Sequence, residues 1–242
     1  MDALISFQNV DKAFGSNLVF KGLNLEIQQG ETLTVLGESG TGKSVLLKML
    51  LGLLPPDRGS IFFNNLDIAQ CKKTQLIEIR RRMGMLFQGA ALFDSLNVFE
   101  NIAYPLREHF DYSEEKIRSI VKEKLEMVGL PGTEKVMPAD LSGGMKKRVG
   151  LARAIATDPE VILYDEPTTG LDPANIGRID QLILRMQEKL KVTSIVVTHD
   201  LPSAFRISNR LALVYNRKIE FVGTVEEFKN SKNKAVTDFC VS

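Results

Sequence analysis

The chain has no tryptophan and only two cysteines, Cys71 and Cys240, which show neither a C-x-x-C pair nor metal-ligand spacing. That excludes a disulfide framework and a thiolate zinc site, and it leaves free thiols in a reducing compartment as the expectation. No run of 18 apolar residues occurs, so no membrane span is expected, and work at a membrane would be that of a peripheral subunit. The first residues, Met1 to Gln8, lack both a charged segment and an apolar segment of the kind a signal peptide carries. Charge of one sign is also missing. The formal net charge is +1, which gives no overall basic footprint and no expectation of a nucleic-acid partner. Internal repeats, low-complexity tracts and a clear linker are absent too. What remains is ordinary for a globular protein: 242 residues, 44% hydrophobic and 25% charged, enough to bury a core as one domain or two closely joined lobes.

The most informative stretch is Gly37-Glu38-Ser39-Gly40-Thr41-Gly42-Lys43-Ser44, which fits G-x-x-x-x-G-K-[ST] without a gap. A β-type run, Thr32–Leu36, leads in, and an apolar helical run, Val45–Leu54, leads out. The glycines let successive N–H groups point inward at phosphate oxygens, beside the positive end of the following helix. Lys43 supplies a full charge to the β- and γ-phosphates, and the Ser44 hydroxyl suits Mg²⁺. Nucleotide binding follows.

Read in order, residues 3–27 carry strand runs at Leu4–Val10, Leu18–Phe20 and Leu23–Ile27, an antiparallel edge sheet. Phe14 in its first turn is open to two readings, a core aromatic or a platform for a purine. Turns at Pro55–Gly59 and Asn64-Asn65 bracket a strand, Ser60–Phe63. The basic run Lys72–Arg82 reads as a solvated helix face, followed by a strand Met83–Phe87 and Gln88. Residues 89–158 form a mostly helical block, with an unusually apolar loop around Leu92, Phe93 and Leu96, a helix Ser113–Val128 and another from Met145 to Ala156. Val161–Tyr164 is a buried-strand run ending in Asp165-Glu166, where Asp165 can hold Mg²⁺ opposite Ser44 and Glu166 can polarise a water. A helix over Pro173–Lys191, a β-branched strand Thr193–Thr198 ending at His199, two further strands and a short helix from Val225 complete an α/β pattern with a mainly parallel sheet. His109 has no motif around it and is assigned to the surface.

Leu141-Ser142-Gly143-Gly144-Met145 resembles the signature sequence of ATP-binding-cassette (ABC) ATPases, at the family's distance before Val161–Pro167. Gln88 resembles the family's Q-loop glutamine, Gly170-Leu171-Asp172-Pro173 its D-loop, His199 its switch histidine and Phe14 its adenine-stacking aromatic. The resemblance implies an ABC ATPase fold: a RecA-like core lobe (1–88 and 159–242) with an antiparallel β edge subdomain, and a helical signature lobe (89–158), all one domain. It also implies ATP and Mg²⁺ as cofactors, with Ser44, Gln88 and Asp165 around the metal and Glu166, His199 and Gln88 at the reacting phosphate. Ser142, Gly143 and Gly144 would close on ATP held by a second copy, with Asp172 at the homodimer contact. Leu92, Phe93 and Leu96 would border the groove that receives a membrane permease.

Met145 departs from the family's usual glutamine. With the run Phe87–Leu96 and the stretch Asn97–His109, the Leu-Ser-Gly-Gly-Met form is similar to the ATPases of bacterial Mla/Mce-type phospholipid transporters. That subgroup implies work at the cytoplasmic face of the bacterial inner membrane, with a permease, a periplasmic Mce-domain subunit and in some systems a STAS-domain protein. Three other readings stand beside it. A polar amino-acid importer would usually carry glutamine at 145, and a non-transport ABC protein would usually carry two cassettes or a coiled-coil insertion. A non-hydrolysing nucleotide binder would not need Glu166 and His199. No regulatory domain or dimer-clasping tail is expected after Ser242.

Overall fold

Alternating apolar and polar residues from Ile5 onward build the first layer. In the computed structural model, which describes residues 3–241, β1 (Ile5–Phe14) and β2 (Asn17–Ile27) form an antiparallel hairpin. The runs read separately at Leu18–Phe20 and Leu23–Ile27 are one strand. Gly22 takes a left-handed backbone (φ 61°), so the register slips between Val10–Leu23 and Lys12–Phe20 as a bulge and the strand continues. β3 (Thr32–Leu36), buried along its length, runs into the phosphate loop and α1 (Lys43–Leu50). The helix thus starts earlier and stops sooner than the apolar run suggested. β4 (Arg58–Phe63) and β5 (Leu66–Asp67) turn on Asn64 and Asn65, both left-handed, and complete an antiparallel sheet ordered β2-β1-β4-β5.

α2 (Lys73–Arg81) and β6 (Met83–Leu86) follow. The basic run is only partly a solvated face. Arg80 donates to the carbonyls of Leu51 and Gly52, and Arg82 grips both carboxylate oxygens of Glu160 at 2.7 Å. Residues 89–158 carry α3 (Val98–His109), α4 (Glu114–Met127) and α5 (Gly143–Ala154). α3 was hidden in the sequence by Pro105 in its interior. Its start is fixed by Asn97, whose side chain accepts from the Glu100 N–H at 2.8 Å. Ser113 caps α4 as expected, and the helix ends before a left-handed Gly129.

β7 (Val161–Asp165), α6 (Pro173–Leu190), β8 (Thr193–Thr198), α7 (Leu201–Ile207), β9 (Arg210–Tyr215), β10 (Lys218–Thr224), α8 (Val225–Lys229) and α9 (Lys234–Val241) complete the chain. The second sheet is ordered β10-β9-β3-β8-β7-β6, and only edge strand β10 is antiparallel. β7 and β8 are buried at every position, as strands covered on both faces must be. One apolar cluster fills the space between the two sheets around α1. A second runs from α3, α4 and α5 across the opposite face of the parallel sheet to α6. All five parallel strands point the same way. The phosphate loop after β3, Gln88 after β6, Asp165 at the end of β7 and His199 after β8 therefore meet at one edge of the sheet, outside the carboxyl ends of its strands.

Candidate functional site

At that edge lies a cleft of about 430 Å³, lined by the phosphate loop from Ser39 to Val45 with Gln88, Glu166, Thr169 and His199. Gly40 and Gly42 are left-handed (φ 82° and 95°), which curls the loop over the start of α1. No side chain caps that helix, so its first N–H groups are free for an anion. Lys43 is 5% exposed. Its Nζ donates to the carbonyls of Gly37 (2.7 Å) and Glu38 (2.9 Å) and sits 3.4 Å from Glu166 Oε1. Burial pulls the Lys43 pKa below the ordinary lysine value, against the opposing pull of Glu166 and Asp165. An incoming phosphate would give that ammonium the anion it otherwise shares with Glu166.

The Ser44 hydroxyl donates to Asp165 Oδ1 at 2.7 Å. A hydroxyl and a carboxylate facing each other beside a phosphate loop are hard oxygen donors of the kind Mg²⁺ takes, so the donor set fits that ion. Among the described residues no group of three or more Asp, Glu, His or Cys could hold a metal alone. The cation would draw its remaining oxygens from phosphate and water, as Mg²⁺ in nucleotide sites does.

The two neighbouring carboxylates are pushed apart. Desolvation raises Asp165, opposed by the Ser44 hydrogen bond and helped by the charge of Glu166. Glu166 also feels desolvation upward, but the His199 hydrogen bond, Lys43 and Thr169 together leave it below its ordinary value. Glu166 Oε2 accepts from Thr169 Oγ1 (3.0 Å) and Thr198 Oγ1 (3.2 Å) and lies 3.0 Å from His199 Nδ1. Because an ionised carboxylate only accepts, Nδ1 carries a proton, and His199 Nε2 is left to face the cleft. The Glu166 main chain is left-handed (φ 47°), held by its N–H to the Val197 carbonyl at 2.9 Å. An ionised carboxylate, a cation and a histidine nitrogen thus converge where the last phosphate of a nucleotide would lie.

A family model described as "ABC transporter" matches residues 20–169. The chain belongs to the ABC transporter ATP-binding family. Two similar proteins are the "Probable ribonucleotide transport ATP-binding protein mkl" of Mycobacterium leprae and the "Intermembrane phospholipid transport system ATP-binding protein MlaF" of Haemophilus influenzae. The first is 43% identical over 99% of this chain and 69% of its own length. The second is 43% identical over 98% of this chain and 89% of its own. Among solved structures, the ATP-binding cassette MJ0796, a dimer in a post-hydrolysis state bound to ADP and Pi, superposes with a TM-score of 0.84 at 32% identity, covering 91% of this chain and 98% of that one. The cassette therefore binds ATP and has the α/β fold with an antiparallel edge sheet that its sequence implied.

The remaining predicted site residues of the cassette lie outside the cleft. Phe14 is 47% exposed at the end of β1, so the core reading fails and its ring is free to serve as a platform. Lys12 Nζ lies 5.4 Å from its centroid. The neighbouring hairpin residues Asn17–Val19 and the outer face of the phosphate loop border a hollow of about 760 Å³. Ser142 caps α5 by accepting from the Met145 N–H at 3.3 Å, and Ser142 and Gly143 are exposed but do not line the cleft that holds Lys43. Met145 is half-buried against the helical cluster, so at this departure from the family an apolar side chain serves packing. Asp172 caps its own helix α6, accepting from the Asn175 N–H at 3.0 Å and its side-chain amide at 2.5 Å.

Of the three expected permease-facing residues, only Phe93 lines an open groove, about 340 Å³ in volume, together with Phe87, Tyr104, His109 and Arg153. Leu92 and Leu96 are half-buried and do not line it. The reason is Asn101 on α3, fully buried. It accepts from the Phe93 N–H and donates to the carbonyls of Phe93 and Leu96, fixing a turn that sends Phe93 outward, 44% exposed. His109 is half-buried on this groove instead of lying free on the surface.

Sequence reading missed Thr169 and Thr198 on the carboxylate, and two cations on α5. Arg153 donates to the carbonyls of Ala90 and Ala91 at 2.8 Å each, holding these two residues, just beyond Gly89, in left-handed backbone. Lys147, 6% exposed, donates to the carbonyls of Glu166 and Thr169, and burial lowers its pKa from 10.5 to about 8. The signal was present. Lys147 falls at helical spacing between Gly144 and Leu151, on the face that should be apolar.

Proposed function

We propose that this cassette is the ATP-hydrolysing motor of a bacterial phospholipid transporter, seated on the cytoplasmic face of the inner membrane. The hydrolytic half of the proposal rests on one observation: Glu166, ionised and braced by Thr169, Thr198 and His199, stands beside the phosphate-binding Lys43. Lys43 exchanges its contact with Glu166 for the β- and γ-phosphates, and Phe14 stacks on the adenine. Ser44, Asp165 and Gln88 would hold Mg²⁺, which when bound would supply positive charge against the phosphate oxygens. Glu166 takes the proton of the attacking water, while His199 Nε2 contacts the γ-phosphate and helps fix that water. The exposed Ser142-Gly143 start of α5 reaches ATP held by a second copy, with Asp172 beside it, so two chains close over two nucleotides. The dimeric likeness with bound ADP and Pi supports that arrangement.

Transport coupling rests on the groove of Phe87, Phe93 and Tyr104, an apolar surface that fits a cytoplasmic helix of a permease. Gln88 ties it to the nucleotide: it lines the phosphate cleft, and Phe87 next to it lines the groove. Residues 89–158 act as the lobe that carries the signature toward the partner copy. The phospholipid assignment follows from likeness over nearly the whole length of MlaF and from the Leu-Ser-Gly-Gly-Met form. An Mce-domain subunit and a STAS-domain protein are the partners that assignment brings. The equal identity to mkl favours ribonucleotide as the second reading. The test is reconstitution with the permease that co-purifies with this chain, in vesicles carrying a labelled phospholipid. ATP-dependent lipid movement is expected, whereas ATP turnover stimulated by ribonucleotides and indifferent to phospholipid would overturn the lipid assignment.

A further inference from the structure

We propose that Lys147 is a positioning residue for Glu166, fixing the main chain of the catalytic loop from the signature helix. Its Nζ donates to Glu166 O at 2.9 Å and to Thr169 O at 3.0 Å. Those carbonyls bracket a turn closed by the Thr169 N–H on Glu166 O and by Thr169 Oγ1 on the Glu166 carboxylate. Packing alone would be served by an apolar side chain of the same length, and an ammonium buried on carbonyls is costly unless its hydrogen bonds are needed. The need is visible at Glu166. Its left-handed backbone persists only where the surroundings hold it, and two elements do so: β8 through the Val197 carbonyl, and α5 through Lys147.

Lys147 lies four residues beyond Gly143, roughly 6 Å along the helix axis. In the two-chain arrangement proposed above, the start of α5 meets the partner's ATP while the same helix, one turn later, holds this chain's Glu166. The seating of the signature and the placement of the carboxylate are then one mechanical event, which links the two nucleotide sites. The inference rests on Glu166 as the base.

The test uses the full chain with Lys147→Met, which keeps most of the length and loses the donors, and Lys147→Arg, which keeps a cationic donor group. Each is made alone and in a Glu166→Gln background, and five quantities are measured: kcat, KM, single-turnover phosphate release, equilibrium binding of a fluorescent ATP analogue, and melting temperature. Small misplacement of a reacting group is costly, so Lys147→Met should lower kcat about tenfold or more with KM and binding within about twofold, and Lys147→Arg should recover most of the loss. In the Glu166→Gln background, Lys147→Met should remove nothing further from single-turnover phosphate release. Three results would overturn the inference: unchanged kcat in Lys147→Met, an equal loss in the Glu166→Gln background, or a kcat loss matched by falling nucleotide affinity and melting temperature. Wild-type turnover in Glu166→Gln alone would instead remove the base assignment, and this inference with it.

Discussion

Replacing Glu166 with glutamine separates proton acceptance from phosphate binding, because the side chain keeps its size and loses only its charge. Oε2 is the acceptor for Thr169 and Thr198 and faces His199 Nδ1, while Oε1 faces Lys43 at 3.4 Å. An amide can satisfy one of these sides. With its NH₂ toward Lys43 two donors oppose each other, and with its NH₂ toward the threonines and His199 that cluster loses its acceptor. One unsatisfied group costs about 1–3 kcal/mol, partly offset because a neutral amide is less penalised by burial than a carboxylate. The fold should survive with a modest change in melting temperature. Catalysis should not. Loss of a positioned general base costs ~10²–10⁴-fold, or about 3–5 kcal/mol in the barrier. Lys43 meanwhile loses a competing anion, so MgATP should bind at least as tightly and ATP-bound dimers should accumulate. Phosphate release gives turnover, a fluorescent ATP analogue gives affinity, and gel filtration with ATP gives the dimer. Turnover within a few-fold of wild type would refute the role of Glu166. Loss of ATP binding in Glu166→Gln, or its retention in Lys43→Ala, would refute the division of labour between the two residues.

Two glycines of the signature should respond differently. A Cβ on Gly144 would lie 2.8 Å from the side chain of Asn175 in the same chain, whereas on Gly143 the nearest atom is Leu171 Cδ2 at 3.8 Å. Gly144→Asp should therefore lower the melting temperature, while Gly143→Asp should leave folding and ATP binding by the monomer intact and abolish hydrolysis by the dimer; normal hydrolysis by Gly143→Asp would contradict a signature that meets the partner's phosphate. At the groove, Phe93→Asp should keep the melting temperature within a few degrees and the ATP affinity unchanged but fail to co-purify with the permease, and wild-type yield in that pull-down would sink the docking assignment.

How much was legible can be seen from single residues. Lys43, Ser44, Asp165, Glu166 and His199 were read as one site and do lie together, since Asp165, Glu166 and His199 follow apolar strand runs while Lys43 and Ser44 follow one through the glycine loop. α3 was not legible: Pro105 reads as a breaker, and nothing local shows that the helix accommodates it. The Leu92–Phe99 stretch was seen as apolar, but Leu92 and Leu96 were expected beside Phe93 at the groove, whereas Phe93 alone of the three lines it because Asn101 folds the loop. Lys147 and Arg153 were not singled out from the sequence, yet both end on carbonyls of segments distant along the chain.

The sequence by itself determined the chemistry. Gly-rich spacing before a lysine can cradle phosphate, a strand ending in Asp-Glu can meet Mg²⁺ and water, and the order of these pieces identifies an ABC ATPase, because each depends on covalent neighbours and local backbone. Only the tertiary structure decided which side chains hold the Glu166 carboxylate in place and which apolar residues remain open at the surface. Those properties arise from contacts between strands and helices distant along the chain, where burial turns a lysine into a clamp on Glu166 and a loop phenylalanine into the lining of a groove.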